Sequence, residues 1–141
     1  MIRLLTMDDY EDICRLWMNT TGLGLNELDD SKEGIGRFLH RNPTSNFVAI
    51  EDDQIVGTIL SGHDGRRGQI YHTCVNEAYR RRGIGEALVR QVISTLREEH
   101  ITKVSLIALR NNSLGNDFWS SLGWLKRDDM NLYTYSLVDR K

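Results

Sequence analysis

The stretch QIYHTCVNEAYRRRGIGEALV, residues 69–89, decides the fold, because an apolar run over 69–75 gives way within a few residues to a helix-patterned one. At the changeover stands Arg80-Arg81-Arg82-Gly83-Ile84-Gly85-Glu86-Ala87. Gly83 and Gly85 carry no side chain, so a ligand can come close to the backbone there. The first N–H groups of the following helix lack intrahelical partners and carry the positive end of its macrodipole. Together these features make a phosphate cradle, and a pyrophosphate fits that geometry.

The cradle is one part of a β-α-β unit. Ile84, Ala87, Leu88, Gln91, Val92, Thr95 and Leu96 keep a 3.6-residue spacing that predicts a third helix, and KVSLIAL (103–109) reads as a fifth strand. Strands four and five are then parallel neighbours joined by a right-handed crossover. Residues 2–6 read as the first strand, and Thr6, Asp8 and Asp9 supply capping and dipole-matched charge for a helix over about 7–19. Loop 20–30 hands over at Ser31, an N-cap, to a short helix ending before Pro43. NFVAI (46–50) and QIVGTILSG (54–62), split by the acidic turn Glu51-Asp52-Asp53, form a hairpin that leads through HDGRRG into strand four. Ser113 caps a fourth helix with an apolar stripe of Leu114, Phe118 and Leu122, and Gly123 suits a left-handed C-cap. WLKR (124–127) and LYTYSLV (132–138) read as a final antiparallel pair. The whole is an α+β fold, with about four helices layered on a mixed, mostly antiparallel sheet of six to seven strands.

Composition narrows the function. A chain of 141 residues is one domain, spanning 1–141, and buries roughly 68–70% of the surface it exposes unfolded. The formal charge of −2 gives no reason to expect nucleic acid or an anionic membrane as a partner. Cys14 and Cys74 have neither paired spacing nor a Cys/His cluster, so they read as reduced, buried small hydrophobes, with no metal site. The N-terminal run MIRLLTMDDYEDI meets acidic residues too soon for a signal peptide. No apolar run approaches the roughly 18 residues of a spanning helix, so a cytoplasmic monomer or homodimer is expected.

The glycine motif itself is short, and a basic trio by itself reads as a solvated face. A dinucleotide fingerprint would need a third glycine where Leu88 stands, and no G-K-[ST] follows as a Walker A loop would require. Arg80, Gly83 and Gly85 instead match [Q/R]-x-x-G-x-[G/A], and the chain here resembles the GNAT superfamily of N-acetyltransferases. A second block, NNSLGNDFWSSLGW (111–124), places Asn112, Gly115, Phe118, Trp119, Gly123 and Trp124 on that family's template N-x-x-A-x-x-F-Y-x-x-x-G-F. Gly115 stands where the template has alanine, and Trp119 where it has tyrosine. The stretch 57–89 is further similar to the small bacterial YpeA-like branch.

The resemblance implies an acyl-CoA N-acyltransferase domain that moves acetyl from acetyl-CoA to a primary amine by direct attack in a ternary complex. It implies splayed strands four and five, with the cofactor between them and in contact with Thr73, Cys74, Val75, Arg80, Arg81, Arg82, Gly83, Ile84, Gly85, Glu86 and Ala87. The backbone of Thr73 and Val75 would follow the pantetheine arm, and a main-chain N–H near Val75 would donate to the thioester oxygen. Asn112, Gly115, Phe118 and Trp119 complete the implied cofactor set, although Asn112 also reads as a helix starter and Trp119 as core. An indole is no proton donor of useful acidity, so the leaving thiolate departs unaided or takes its proton from water.

Family members often place a carboxylate or histidine base in register with Gln69 and Tyr71, where this chain has neither. His72 alternates to the other face with Cys74 and reads as structural, absent a bulge. A base acting through water held by Tyr71, Asp64 or backbone carbonyls is the expectation, with Glu77 solvated. The acceptor would meet Leu23, Leu25, Glu27, Asp29, Asp30, Asp64, Arg66, Arg67, Tyr71, Tyr133 and Tyr135. The acids suit a cationic amine and the Arg pair a carboxylate, leaving open a small-molecule amine or a protein N-terminal or lysine amine. A CoA-binding regulatory module without turnover is the alternative reading.

Overall fold

The computed structural model of the protein describes residues 1–139; Arg140 and Lys141, the end of the expected domain, lie outside the described residues. In chain order the elements are β1 (Ile2–Leu4), a 3-10 turn (Met7–Asp9), α1 (Tyr10–Met18), α2 (Lys32–Arg41), β2 (Phe47–Glu51), β3 (Gln54–His63), β4 (Gly68–Val75), a second 3-10 turn (Glu77–Tyr79), α3 (Ile84–Glu98), β5 (Val104–Leu106) and α4 (Ser113–Ser121). Two compact units meet in sequence at Ile107–Ala108: the first holds all five strands and α1 to α3, the second holds α4.

The first unit is a five-stranded sheet in the order β1-β2-β3-β4-β5, antiparallel except for the parallel pair β4–β5. The β2–β3 hairpin turns on Asp52 and Asp53, both with positive φ (52° and 60°), the conformation a tight two-residue turn between twisted strands demands. Strand alternation sends Val48, Leu60 and Cys74 to one face, where Ile13, Leu16 and Trp17 of α1 and Ile35 and Leu39 of α2 bury against them. The opposite face receives α3 through Leu88, Val89, Val92 and Leu96. Gly57 permits the close approach there, since a Cβ would stand 3.1 Å from Leu88 Cδ1 and 3.2 Å from Ile84 Cγ2. Helices on both faces of a mixed sheet are the expected layered fold, with parallel fourth and fifth strands.

Helix α2 starts where expected, with the Ser31 hydroxyl accepting from Gly34 N–H at 3.0 Å. The expected single helix over 7–19 is a 3-10 turn followed by α1, because Asp9 turns back at the junction. Its carboxylate accepts from Thr6 N–H at 2.9 Å and from both terminal guanidinium nitrogens of Arg3 at 2.8 and 2.9 Å.

In the second unit α4 is capped by Asn112 rather than Ser113: the Asn112 amide oxygen accepts from Gly115 N–H at 3.1 Å. Gly123, at φ 89°, ends the helix as expected, with Trp124 N–H reaching back to Trp119 carbonyl at 3.1 Å.

The strand count is five among the described residues, not six to seven. Neither WLKR nor LYTYSLV is a strand, and β5 is Val104–Leu106 rather than the full KVSLIAL. Alternation describes a side-chain pattern, whereas a strand exists only where a neighbour takes its backbone hydrogen bonds. Among the described residues, 125–139 make no backbone hydrogen bond to a strand, and their side-chain hydrogen bonds are local, such as the Arg127–Asp129 pair at 2.9 Å and Ser136 Oγ to Val138 carbonyl at 2.7 Å. Their large side chains are exposed, Tyr133 by 87% and Tyr135 by 89%, so no buried face selects a register.

Arg3 and Thr6 hold the Asp9 carboxyl below the usual carboxylate range, the Arg3 hydrogen bond being the largest cause. A lowered folded-state value stabilises the fold above the unfolded value near 3.9, and the gain is lost as pH falls through the folded one. Asp9→Asn is expected to cost about 1–3 kcal/mol at neutral pH. Thermal melts at pH 7 and pH 3 check this: the gap between variant and wild type should narrow at the lower pH.

Candidate active site

The fourth and fifth strands part early. Their parallel ladder covers Gly68, Gln69 and Ile70 against Val104, Ser105 and Leu106 and goes no further. Beyond Ile70 the outer edge of β4 has no strand beside it among the described residues. Asn76 N–H donates inward to the Val56 carbonyl at 2.7 Å, so alternation turns the N–H and C=O of Val75 and Thr73 toward the opening. Cys74 points its backbone at β3, opposite Thr58, and its buried side chain at the core, which pushes the thiol up to about 11.

At the end of this edge lies the loop expected to cradle a phosphate. Arg80 sends its Nε to the Val75 carbonyl at 3.1 Å, tying loop to strand. Arg81, at φ 64°, and Gly83, at φ 79°, both adopt the left-handed region, which costs little at glycine and more at Arg81. The backbone N–H groups from Arg81 to Glu86 have no acceptor among the described residues, and the first helical bond runs from Ala87 N–H to the Gly83 carbonyl at 3.0 Å. A row of donors at a helix N-terminus, with open space where a Gly83 Cβ would be, fits a pyrophosphate. The other charges are occupied at the surface: Arg82 lies 4.9 Å over the Tyr79 ring, and Glu86 pairs with Arg90 at 2.7 Å.

The side of β4 that meets α1 and α2 is set by an irregularity. Ile59 pairs with Thr73 and Ser61 with Ile70, so Leu60 alone stands opposite both Tyr71 and His72. This bulge corrects the expectation that the two alternate: both turn to the helical side. The Tyr71 ring stacks edge-on to Phe38 of α2 at 5.4 Å, and the His72 ring to Trp17 of α1 at 5.0 Å. His72 Nε2 lies 2.8 Å from Asp30 Oδ1, a pairing that strict alternation could not reveal. Burial first, and then the Asp29 carboxylate, raises the Tyr71 phenol above its ordinary value, so it is a proton donor at neutral pH.

The remaining expected residues are less concentrated. Leu25 and Glu27 lie in the loop before α2, where Leu25 is exposed. Asp64 is committed to its own turn, accepting from Arg66 and Arg67 N–H at 2.8 Å each, and those donors hold its carboxyl below the usual range. In the second unit Asn112 spends its amide oxygen on the cap. Gly115 makes that possible, because a Cβ there would lie 2.6 Å from Asn112 Nδ2. Trp119 stacks edge-on with Phe118 at 5.0 Å and Trp124 at 4.9 Å. Tyr133 is exposed and belongs to no strand. Among the described residues no group of His, Cys, Asp and Glu gathers as a metal site, and no helix is long and apolar enough to cross a membrane.

The Acetyltransferase (GNAT) family model matches residues 10–124. The chain belongs to that family, whose reaction is acetyl transfer. It is 28% identical over 140 residues to an acetyltransferase of Yersinia pestis, covering 99% of this chain and 98% of the relative. Its fold is similar to an aminoglycoside acetyltransferase from an uncultured soil metagenomic sample (TM-score 0.73, 21% identity, 98% and 96% coverage). It is also similar to a chain of the NatC complex bound to Gag peptide and CoA (TM-score 0.75, 20% identity, 90% and 85% coverage).

Gly83→Asp tests the cradle. The substitution meets no atom within 4 Å, so the fold should survive with about 1–2 kcal/mol of left-handed strain. CoA affinity measured by calorimetry should fall at least about tenfold, or 1.4 kcal/mol. Unchanged affinity in a folded variant would remove the assignment. Arg80→Ala should weaken CoA less, and in a salt-dependent way.

Proposed function

We propose that the protein transfers an acetyl group from acetyl-CoA to a primary amine by direct attack in a ternary complex, acting as one acyltransferase domain over residues 1–141. The family match runs through the boundary between the two compact units, which supports reading them as parts of one catalytic domain. The observation that carries the proposal is the continuity of donors: the open N–H groups of Thr73 and Val75 lead along β4 to those of Arg81 to Glu86. Acetyl-CoA supplies the activated acyl group.

In this reading the donors from Arg81 to Glu86, with the Arg80–Arg82 charges, hold the pyrophosphate. The edge of β4 at Thr73 and Val75 takes the pantetheine amides in place of a fifth-strand ladder. Val75 N–H is aimed at the thioester oxygen, and one such fixed donor is worth about 3–4 kcal/mol in comparable sites. Tyr71, protonated and half exposed beside Phe38, orients the incoming amine and its water. Asn112, Gly115, Phe118 and Trp119 are assigned to the cofactor by the family template. Leu25, Glu27, Asp64 and Tyr133 are assigned to the acceptor, whose cationic form suits Glu27 and Asp29. One structural neighbour is an aminoglycoside acetyltransferase and the other belongs to a complex bound to a Gag peptide, so both acceptor types belong in the test.

The test is thiol release from acetyl-CoA over a panel containing spermidine, an aminoglycoside and a peptide with a free N-terminus. Release that depends on the amine is expected; CoA binding without it would leave a binding module. A second measurement concerns Trp119, whose indole is no general acid. Trp119→Phe should keep most of kcat, whereas Trp119→Ala should raise the KM for acetyl-CoA through lost packing. A fall of a hundredfold in kcat for Trp119→Phe, the size of a lost acid–base group, would refute this role.

A further inference from the structure

We propose that His72, oriented by Asp30, is the base that takes the proton from the attacking amine. The inference rests on the transfer reaction proposed above and supplies the proton acceptor that reaction needs. The geometry comes from the β4 bulge, which turns His72 to the same side as Tyr71 and sets it immediately before Thr73, whose N–H faces the opening. The imidazole is neither free nor lost in the core: 15% of its side-chain surface remains accessible, against 13% for Asp30.

Asp30 is unusually well held for an orienting carboxylate. One oxygen receives His72 Nε2 at 2.8 Å and the other receives Asn26 N–H at 2.7 Å. Its own N–H donates to the Asn26 carbonyl at 2.9 Å, and its carbonyl accepts from Tyr10 Oη at 2.8 Å. A carboxylate fixed in this way keeps the proton of neutral His72 on Nε2. Nδ1, which has no hydrogen-bond partner among the described residues, then carries a lone pair. The arrangement is the base-plus-orienter pair of nucleophilic catalysis, here serving an external amine.

The step balances without further reactants than acetyl-CoA and the amine. As the amine nitrogen forms its bond to the thioester carbonyl carbon, its surplus proton passes to His72 Nδ1, directly or through water held by Tyr71. The carbon–sulfur bond breaks and the sulfur leaves with the electron pair. His72 then gives its proton to that thiolate or to solvent. The groups around the imidazole do not compete for this role. Tyr10 on α1 is pushed up to about 12 and Cys74 beside it on β4 up to about 11, both chiefly by burial, and the Tyr71 phenol is raised as well. Cys14 lies beside Tyr10, Asp29 and Asp30 line the loop, Trp17 and Phe38 carry no charge, and Arg80 is turned to the Val75 carbonyl.

The experiment compares wild type, His72→Gln, His72→Ala and Asp30→Asn in three measurements: kcat against pH at saturating amine, CoA affinity by calorimetry, and ¹⁵N NMR of the histidine ring. Spermidine and the free-N-terminus peptide are the acceptor probes. His72→Gln should lower kcat about 100-fold and flatten its acid limb while leaving CoA affinity within twofold. Asp30→Asn should lower kcat and move the His72 proton from Nε2 to Nδ1 in the ¹⁵N spectrum, because an amide nitrogen facing the ring donates where the carboxylate accepted. Added imidazole should restore part of the turnover in His72→Ala, which a packing role would not produce. Turnover and acid limb unchanged in folded His72→Gln would overturn the base assignment and leave the transfer reaction standing. Absence of amine-dependent thiol release in the wild type would overturn both.

Discussion

The outer edge of β4 beyond Ile70 is the constraint on which the rest of the first unit depends. A strand edge presents a row of N–H and C=O groups that must find partners or water. Here the parallel ladder stops at Ile70–Leu106, and the next open donors on that edge belong to Thr73 and Val75. Continuing the pairing would satisfy the backbone and close the site. Ending it leaves a line of polar backbone groups along β4 of the first unit, with α1 and α2 on one face of the sheet and α3 on the other.

Two local devices keep that edge in position. The bulge opposite Leu60 ends regular alternation just before Thr73, and it turns Tyr71 and His72 together toward α1 and α2. Past Val75, Arg80 anchors the loop by its bond to the Val75 carbonyl, and two left-handed residues, Arg81 and Gly83, reverse the chain into α3. Strain at a non-glycine residue such as Arg81 persists only where surroundings enforce it. The enforcing contacts are the Arg80 tie on one side and the packed start of α3 on the other, where Gly57 admits Ile84 and Leu88.

Much of this was legible in the order of residues. Ser31 before an apolar-periodic run, Asp52-Asp53 between two strands, Gly123 after α4 and Gly83 before α3 all declare local geometry, because each turn or cap depends on a few neighbouring atoms. The cap of α4 falls one residue before the expected Ser113, since Ser113 and Asn112 are both good caps; Gly115 leaves room for the Asn112 side chain that takes its N–H. The face of His72 differs from strict alternation for a related reason. A bulge leaves no mark in the alternation of QIYHTCV, and the partner, Asp30, stands 42 residues away in a loop.

The sequence by itself determined the element order through the fifth strand, the layered sheet and the glycine turn into α3, because hydrophobic period, capping and turn chemistry act over a few residues. Tertiary structure alone decided where the β4–β5 ladder ends, which face Tyr71 and His72 share, and that 124–127 and 132–138 form no strands among the described residues. Those outcomes depend on which backbone groups find partners far away in the chain. No local pattern carries that information, since the same alternation serves a paired strand and an unpaired one equally well.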